Sequence, residues 1–325
     1  MSTFAILGEA LIDLHMIAGT EPEEKDRPAA RNYTAQPGGS PFNVAIGLAR
    51  LGHHTEFAGR FAHDALSSIL HRHAEQSGVS LSRSGTWPGP TPAALFDLDR
   101  SGSARYEFHL GDAAESMFSA AEVARVMAAP VDAVHFGSIA SWLPGSADAV
   151  LDAVARLRNG GAFVSYDPNI RSMLIPDRAE ALRRVEDAVA LSDLVKASIE
   201  DLAWLYPHLS PAQAAQKWLT ADSKRAVVVT HGAGGADCHS ANAIVHGSSA
   251  PVTVIDTVGA GDAFMAGLLV NLGEADALST DGLAVVLKQP AEVRRLLDGA
   301  CAHAAATCTR PGADPPWRPR TTTAA

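Results

Sequence analysis

The chain has 325 residues, of which 47% are apolar and 19% charged, and its formal net charge is −10. This composition is typical of a folded protein with one large domain or two smaller ones, and it excludes an intrinsically disordered chain. The lack of a lysine and arginine cluster argues against nucleic acid as a partner, and the lack of a run of about 18 apolar residues argues against a membrane span.

Short apolar runs alternate with alanine-rich amphipathic stretches along most of the chain. Strands are predicted at 4–8, 55–61, 131–137, 162–168, 194–198, 225–232 and 251–255. Helices are predicted at 41–51, 65–78, 146–158 and 177–191, and a further one begins near residue 200. Strands that alternate with helices of this length indicate crossover units on a mostly parallel sheet, in which ligands lie beyond the carboxyl ends of the strands.

Two stretches interrupt this alternation. Residues 15–37 are polar and rich in proline, and residues 91–111 alternate apolar and polar side chains around a DRSGS turn, which predicts a β-hairpin. We expect these two pieces to form a small discontinuous β lid over an α/β core made of 1–14, 38–90 and 112–325. A decorative insertion without a role in binding is the alternative.

Cysteine, histidine and the N-terminal segment exclude several classes of site. The three cysteines are too few and too scattered for a disulfide framework or a zinc site, and they fit a reducing cytoplasm. His71 and His73 lie on a predicted helix, where residues two apart do not share a face, so a solvated face is favoured over a metal site. The N-terminus has no basic region before its apolar run, which predicts a first strand and not a signal peptide.

The sequence DTVGAGDAFMAGLL at 256–269 places two acids around a glycine-rich turn between a predicted strand and a predicted helix. Glycine tolerates positive φ, so the amides of Gly259, Ala260 and Gly261 can point into one space and bind an anion at the helix start. The sequence is consistent with two roles for Asp262. It could cap the helix, a common role worth about 1 kcal/mol, or it could take a proton from a hydroxyl beside a bound phosphoryl group.

A second glycine-rich motif is QPGGSPFNVAIGLARLG at 36–52. Gly38 and Gly39 let the backbone approach a ligand closely, and Asn43 presents a side-chain amide. The motif is weak evidence by itself, because it is neither a GxGxxG nor a Walker sequence. The motif becomes informative only in combination with the distant DTVGAGD.

Together the two motifs resemble the two signatures of the ribokinase-like (PfkB) carbohydrate kinases. The segments GEALID, DPNIR (167–171), VKASIEDLAWL (195–205), VVVTHGAGG (227–235) and CTRPGADPP (308–316) follow in the order of that family. The resemblance covers essentially the whole chain and is nearest to the fructokinase and 2-keto-3-deoxygluconate kinase branches. It implies a three-layer αβα sandwich with a mostly parallel central sheet and a small β-sheet lid, and an ATP-dependent sugar kinase.

The resemblance also implies roles for individual residues at the sugar and at the transferred phosphate. Asp262 would be the general base for a primary hydroxyl of the sugar, beside an anion hole formed by the turn 259–261. Sugar contacts are implied for Asp13, Gly38, Gly39 and Asn43, with Arg171 near phosphate or an acidic substrate group. The lid residues that are candidates for recognising the sugar are Phe96, Tyr106 and His109. Alternatives are a strand-end turn for Asp13, a helix cap for Asn43 and a surface salt bridge for Arg171.

Nucleotide and metal roles follow from the same resemblance. ATP would contact Thr230, Gly232 and Gly235, with Lys196 and Cys301 as further candidates, although Cys301 could simply be a helix-packing residue. Mg²⁺ would be held mainly through the phosphates and waters, with Asp201 as an indirect contact. Asp256 and the carbonyl of Val258 resemble a monovalent-cation site for K⁺, and Asp256 could equally cap the turn. Lid strands in the family often pair across a dimer, so we expect a homodimer.

The chain departs from the family pattern at several positions. These are Ser198-x-x-Asp201 in place of NxxE, Ala62-x-Asp64-x-x-Ser67 in place of Gly-x-Asp-x-x-Gly, Pro315 and Pro316 where a hydroxyl residue is usual, and Leu110 where fructokinases often have arginine. Fructose or a related ketose is the expected substrate. The alternatives are 2-keto-3-deoxygluconate, a nucleoside, or a binding protein without catalysis. A nicotinamide oxidoreductase would require GxGxxG after the first strand, where the chain has GEALID.

Overall fold

The structure is a computed structural model, and it describes residues 1–16, 32–98, 104–111, 117–220 and 224–318. The side chains of 16, 96–98 and 104–106 are outside that description.

The strands form one large sheet and two small ones. In chain order they are β1 Thr3–Leu7, β2 Leu11–Met16, β3 Tyr33–Gly38, β4 His54–Ala58, β5 Arg60–Phe61, β6 Gly85–Thr86, β7 Ala93–Leu98, β8 Ala104–His109, β9 Ala133–Gly137, β10 Phe163–Asp167, β11 Leu194–Ser198, β12 Ala226–Thr230, β13 Ala236–His239 and β14 Ile244–Gly247.

The large sheet has eight strands in the order β14-β13-β12-β11-β10-β9-β1-β4. The pairings from β4 to β12 are parallel, and β13 and β14 extend the sheet by antiparallel pairing. The carboxyl ends of the six parallel strands therefore lie at one edge, where the prediction places ligands.

Helices cover both faces of this sheet. They are α1 Ser40–Arg50, α2 Ala65–Ser77, α3 Ala120–Val126, α4 Ile139–Trp142, α5 Ala147–Asn159, α6 Arg178–Ala190, α7 Ile199–Leu205, α8 Pro211–Leu219, α9 Ala260–Glu274, α10 Thr280–Val286 and α11 Pro290–Cys308. Successive side chains of β1 enter different cores, because they alternate across the strand: Phe4 and Ile6 pack with α1, α2 and α9 to α11, and Ala5 and Leu7 with α3 to α8. The predicted three-layer α/β fold is confirmed.

A separate four-stranded sheet has the order β3-β2-β7-β8. The hairpin predicted within 91–111 is present, since β7 and β8 pair antiparallel from Ala93 opposite His109 to Leu98 opposite Ala104. Strand β2 pairs antiparallel with β3 and parallel with β7, and it carries Asp13. Asp13 is therefore placed by the small sheet and not by a turn at the end of a core strand.

Two strand predictions need correction. Residues 55–61 divide at Gly59 into β4, which joins the large sheet, and β5, which pairs with β6. Residues 251–255 form no strand: the side chains of Val252, Val254 and Ile255 are exposed, and the Ile255 amide donates to the Cys308 carbonyl at 2.8 Å. Its valines have high strand propensity, but the segment lies beside the end of α11, where no strand among the described residues pairs with it.

Candidate active site

A cavity of about 240 Å³ lies at the carboxyl ends of the central parallel strands. The segments that follow β1, β9 and β10 contribute Glu9, Ser138, Ile139, Asn169 and Arg171 to its wall, and β11 contributes Lys196. The start of α1 and the turn before α9 contribute Gly39, Ser40, Asn43 and residues 257–262, and the small sheet contributes Leu11, Asp13, His15, Ala94 and Phe108. The two glycine motifs, which are more than 200 residues apart in the chain, thus meet at one cavity beneath the small sheet.

The turn before α9 depends on glycine. Gly259 has φ 74° and is the N-cap of α9, and a Cβ there would lie 2.5 Å from the Cβ of Ala313. The amides of Gly259 and Gly261 have no acceptor among the described residues, whereas the Ala260 amide donates to the Thr257 carbonyl at 3.2 Å. The expected anion hole of three amides therefore has two free donors and one that is engaged in the turn.

Asp256 fixes this turn from outside. One carboxylate oxygen accepts from the Val258 amide at 3.0 Å, and the other accepts from the Gly312 amide at 2.8 Å. The segment from Gly312 to Ala313 is thereby held against Gly259. These bonds give Asp256 the role of turn anchor.

Asp262 does not cap α9. It lies in the first helical turn, is 8% exposed, and accepts hydrogen bonds from side chains at the start of α1. Ser40 Oγ donates to Oδ1 at 2.7 Å, and Asn43 Nδ2 donates to Oδ2 at 2.8 Å. The carboxylate is held by one donor on each oxygen and retains lone pairs toward the cavity, which is the arrangement a general base needs.

Lys196 provides a buried positive charge beside the same turn. Its Nζ donates to Asp167 Oδ2 at 2.7 Å, and a Cβ added to Gly261 would lie 2.9 Å from Nζ. Burial works to lower the pKa of Lys196, but Asp167 outweighs it and raises that pKa above its ordinary value. Burial raises the pKa of Asp167 to about 6 despite the attraction of Lys196. The ammonium group is therefore charged at neutral pH and close to the free Gly261 amide.

Asp13 faces the cavity from β2. Burial raises the pKa of its carboxyl to about 7, an effect that Arg171 opposes and that Asp262 and Asp256 reinforce. A Cβ on Gly38 would lie 2.1 Å from Asp13 Oδ2, so glycine is required there to leave room for this side chain. The carboxylates of Asp13, Asp256 and Asp262 thus surround the turn. The positive charge of Arg171 partly balances their negative charge.

The residues predicted to contact the nucleotide, apart from Lys196, lie around the turn that follows β12, the strand next to β11. Thr230 ends β12, and Gly232 and Gly235 have φ 55° and 88° in the turn toward β13. A Cβ on Gly235 would lie 2.2 Å from the Gly247 carbonyl oxygen, and the buried Cys301 Sγ contacts the same oxygen at 3.7 Å. These residues lie next to one another but outside the cavity wall. Lys196 joins the two regions, because it pairs in register with Val228 of β12 and lines the cavity.

A family model described as "pfkB family carbohydrate kinase" matches residues 1–320. The chain belongs to this family. It is 36% identical over 265 residues to a fructokinase of Rhizobium leguminosarum bv. trifolii, covering 82% of this chain and 78% of the relative.

Solved structures of fructokinases share the fold. A fructokinase from Xylella fastidiosa with bound ATP has a TM-score of 0.81 and 27% identity, with 96% of this chain and 93% of that chain covered. A Vibrio cholerae O395 fructokinase with fructose, ADP and calcium ion has a TM-score of 0.75 and 27% identity, with coverage of 96% and 94%. A double mutant of that enzyme contains fructose, ADP and potassium ion, with a TM-score of 0.77, 27% identity and the same coverage.

The sugar candidates of this pfkB kinase divide into three groups. Asp13, Gly39, Asn43 and Arg171 line the cavity together with Asp262, whereas Gly38 packs behind Asp13. His109 is exposed, pairs with Glu107 at 3.2 Å and does not line the cavity, which Phe108 lines instead. The side chains of Phe96 and Tyr106 lie outside the described part of the structure.

The candidate metal residues have structural partners. Asp201 forms a capping box with Ser198 at the start of α7, and its other oxygen accepts from the Ile170 amide at 2.7 Å. No group of three or more His, Cys, Asp and Glu side chains among the described residues is arranged to hold a metal ion. His71 and His73 stack near Phe61 and Phe42, at ring distances of 4.6 and 6.2 Å. No helix in the described ranges is long and apolar enough to cross a membrane.

Several polar residues of the site were not predicted. They are Glu9, Ser40, Ser138, Asp167 and Asn169. All but Ser138 lie inside segments that carry the family resemblance, and Ser138 directly follows a buried apolar strand. A polar residue within two positions of the end of a buried parallel strand is the signal that could have identified Ser138 and Asn169.

Proposed function

We propose that this ATP-dependent sugar kinase transfers the γ-phosphate of ATP to a primary hydroxyl of fructose. The observation that carries the proposal is Asp262, held by Ser40 and Asn43 beside the amide turn and Lys196 in one cavity. Fructose is chosen because the relative and the solved structures that resemble the chain are named fructokinases.

Asp262 acts on the sugar hydroxyl. Its carboxylate takes the proton as the hydroxyl oxygen bonds to the γ-phosphorus, and the bond from that phosphorus to the bridging oxygen breaks so that ADP leaves. A positioned base typically accelerates such a step about 10²–10⁴-fold. The bonds from Ser40 and Asn43 fix the base before the sugar arrives.

The turn before α9 stabilises the transferring phosphoryl group. The free amides of Gly259 and Gly261 and the start of a 15-residue helix favour negative charge at this point. Removing one such donor from an oxyanion site typically costs about 3 kcal/mol in the transition state. Lys196 adds a full positive charge on the same side of the cavity.

Sugar and nucleotide approach from different directions. Asp13, Gly39 and Asn43 contact sugar hydroxyls, and Arg171 lies near the sugar or its phosphate. ATP lies along the turn after β12, with Thr230, Gly232 and Gly235 at its phosphates and Cys301 beside its base. In this proposal the γ-phosphate lies at Lys196, between the two groups of residues.

A divalent cation, which we propose is Mg²⁺, neutralises charge on the ATP phosphates when it is bound. The described residues offer no cage of carboxylates, which fits an ion held through phosphates and water. Asp201 supports the loop at Ile170 and acts on the ion only indirectly. Asp256 and the Val258 carbonyl are the groups that would hold K⁺, and a comparison of turnover with and without K⁺ tests them.

The small sheet acts as a lid, since four of its residues other than Asp13 line the sugar side of the cavity. We propose that it closes over the sugar, that its edge pairs with a second copy in a homodimer, and that the enzyme works in the cytoplasm. Hydrogen exchange of 91–111 with and without saturating sugar tests closure. Sedimentation at several protein concentrations tests the dimer.

The test of substrate is an ADP-release assay over ketoses, aldoses, sugar acids and nucleosides. We expect fructose to give the highest kcat/KM. Arg171 in the cavity makes 2-keto-3-deoxygluconate the second candidate, because guanidinium binds carboxylate well. Highest activity on a sugar acid or a nucleoside would contradict fructose, and no turnover with any of them would contradict the kinase mechanism.

A further inference from the structure

Two residues at the base of the cavity have strained backbones. Ser138 has φ 54° and Asn169 has φ 38°, and Asp276 is the only other non-glycine residue with positive φ in the described ranges. Ser138 and Asn169 follow the adjacent strands β9 and β10, and both line the cavity. Strain of this kind persists only where the surroundings enforce it, and it is concentrated at ligand sites.

Hydrogen bonds hold the two strained residues to each other and to β10. Asn169 Nδ2 donates to Ser138 Oγ at 3.3 Å, and the Asn169 amide donates to Asp167 Oδ1 at 3.1 Å. The Ser138 amide donates to the Asp167 carbonyl at 3.0 Å. Both conformations are therefore fixed from the same side, with Asp167 as the common partner.

The residue that this pair supports is Glu9, which follows β1. Its side chain is 3% exposed, its Oε2 accepts from the Ala140 amide at 3.1 Å, and the Ser138 side chain hydrogen-bonds to the carboxyl group. Burial raises the pKa of Glu9, and these hydrogen bonds and Arg171 act in the opposite direction. A continuous chain of hydrogen bonds thus runs from Glu9 through Ser138, Asn169 and Asp167 to Lys196.

The Glu9 carboxylate has acceptor capacity beyond its bonds within the protein. Its donors there are the Ala140 amide, the amide of Glu9 itself and the Ser138 side chain. A carboxylate has about four acceptor positions, so at least one remains after those three bonds, and Glu9 lines the cavity. A hydroxyl group of a polyol is the kind of donor that suits this position.

We propose that Glu9 is a specificity-determining residue that accepts hydrogen bonds from sugar hydroxyls remote from the phosphorylated one. Ser138 and Asn169 are positioning residues that orient its carboxylate. This inference rests on the proposed function, because it requires that the ligand of the cavity is a sugar. It assigns the recognition of ring hydroxyls to the ends of β1, β9 and β10, in addition to Asp13 and Asn43.

The test is a cycle of Glu9→Gln against monodeoxy analogues of fructose. We expect Glu9→Gln to raise the KM for fructose about 10–100-fold, with the KM for ATP changed less than twofold. An analogue that lacks the hydroxyl bound by Glu9 should react poorly with the wild-type enzyme, and this penalty should vanish in Glu9→Gln. Glu200→Gln, which changes an exposed glutamate on α7, is the matched control and should leave both KM values unchanged.

The positioning residues give a second measurement. Ser138→Ala and Asn169→Ala should each raise the KM for fructose about 3–10-fold, and neither should add to the effect when combined with Glu9→Gln. Independent effects that multiply in the double variants would overturn the positioning role. Penalties for every deoxy analogue that are equal in wild type and Glu9→Gln would overturn the proposal for Glu9.

Folding and substrate identity are scored separately. Thermal unfolding reports whether each variant is folded, and Glu9→Asp, which shortens the side chain but keeps its charge, replaces Glu9→Gln in the same cycle if the latter does not fold. If the wild-type enzyme does not phosphorylate fructose, the proposed substrate fails. The cycle is then run by calorimetric titration of the sugar that the wild type does accept, so Glu9 is still tested.

Discussion

The two ends of the cavity are built in different ways. At the proposed phosphate end, the free amides and the proposed base Asp262 come from one turn, residues 259–262, and a single buried pair adds the positive charge. At the sugar end, the polar groups come from β1, β2, α1, β9 and β10, and several carboxylates share a small space. In the proposed function, the reaction type is therefore encoded locally, whereas selectivity is distributed over distant segments that only the fold brings together.

The largest effect is expected at the phosphate end, from loss of the base. Asp262→Asn should lower kcat about 10²–10⁴-fold, because the amide cannot accept the proton, while fructose and ATP still bind. Single-turnover kinetics and calorimetric titration measure the two properties. Asp281→Asn, at an exposed position on α10, is the control. Near-normal turnover of Asp262→Asn would show that the base is elsewhere.

Loss of the buried Lys196 ammonium group should have the next largest effect. Lys196→Met should lower kcat about 10²-fold with an unchanged fructose KM, since it removes charge stabilisation from the transferring group. The single substitution also leaves Asp167 buried and unpaired, which destabilises the fold. Lys196→Met combined with Asp167→Asn should recover stability, as measured by thermal unfolding, but not activity. Recovery of both stability and activity in the double variant would show that the pair of Lys196 and Asp167 has only a structural role.

The same contrast explains what could be read from the sequence. DTVGAGD predicted the glycine turn and the helix that starts at it, because a turn and a helix start are local properties of the chain. The alternation of apolar runs likewise predicted the sheet and its helices. The strand predicted at 251–255 was wrong, because VTVI has strand propensity in a place where no strand pairs with it.

Other features depend on contacts that a sequence pattern does not contain. Ser40 was not identified, because its function follows from a bond to a residue 222 positions later. The positive φ of Ser138 and Asn169 was likewise inaccessible, since neither residue type requires it. Lys196 was predicted at the nucleotide, but its place beside Gly261 follows from the order of the strands.

At the sugar end, the pH dependence should report on Asp13. With a pKa of about 7, this carboxyl is ionised above neutral pH and gains a proton as the pH falls through 7. The protonated form is the poorer acceptor for sugar hydroxyls, so kcat/KM for fructose should fall about tenfold between pH 8 and pH 6. Asp13→Asn should lower kcat/KM at pH 8 and remove this step. A step that persists in Asp13→Asn would assign it to another group, such as Asp167.

The smallest effect is expected where the two ends meet, at Ser40. Ser40→Ala removes one of the two donors to Asp262, and Asn43 still holds the other oxygen. A hydrogen bond contributes about 1 kcal/mol net, so kcat should fall about 3–10-fold with the fructose KM unchanged. Ser40→Thr keeps the hydroxyl and should recover part of the loss. If Ser40→Ala instead raises the fructose KM at constant kcat, Ser40 belongs to the sugar end, and the division between a local catalytic centre and a distributed sugar site must be redrawn at α1.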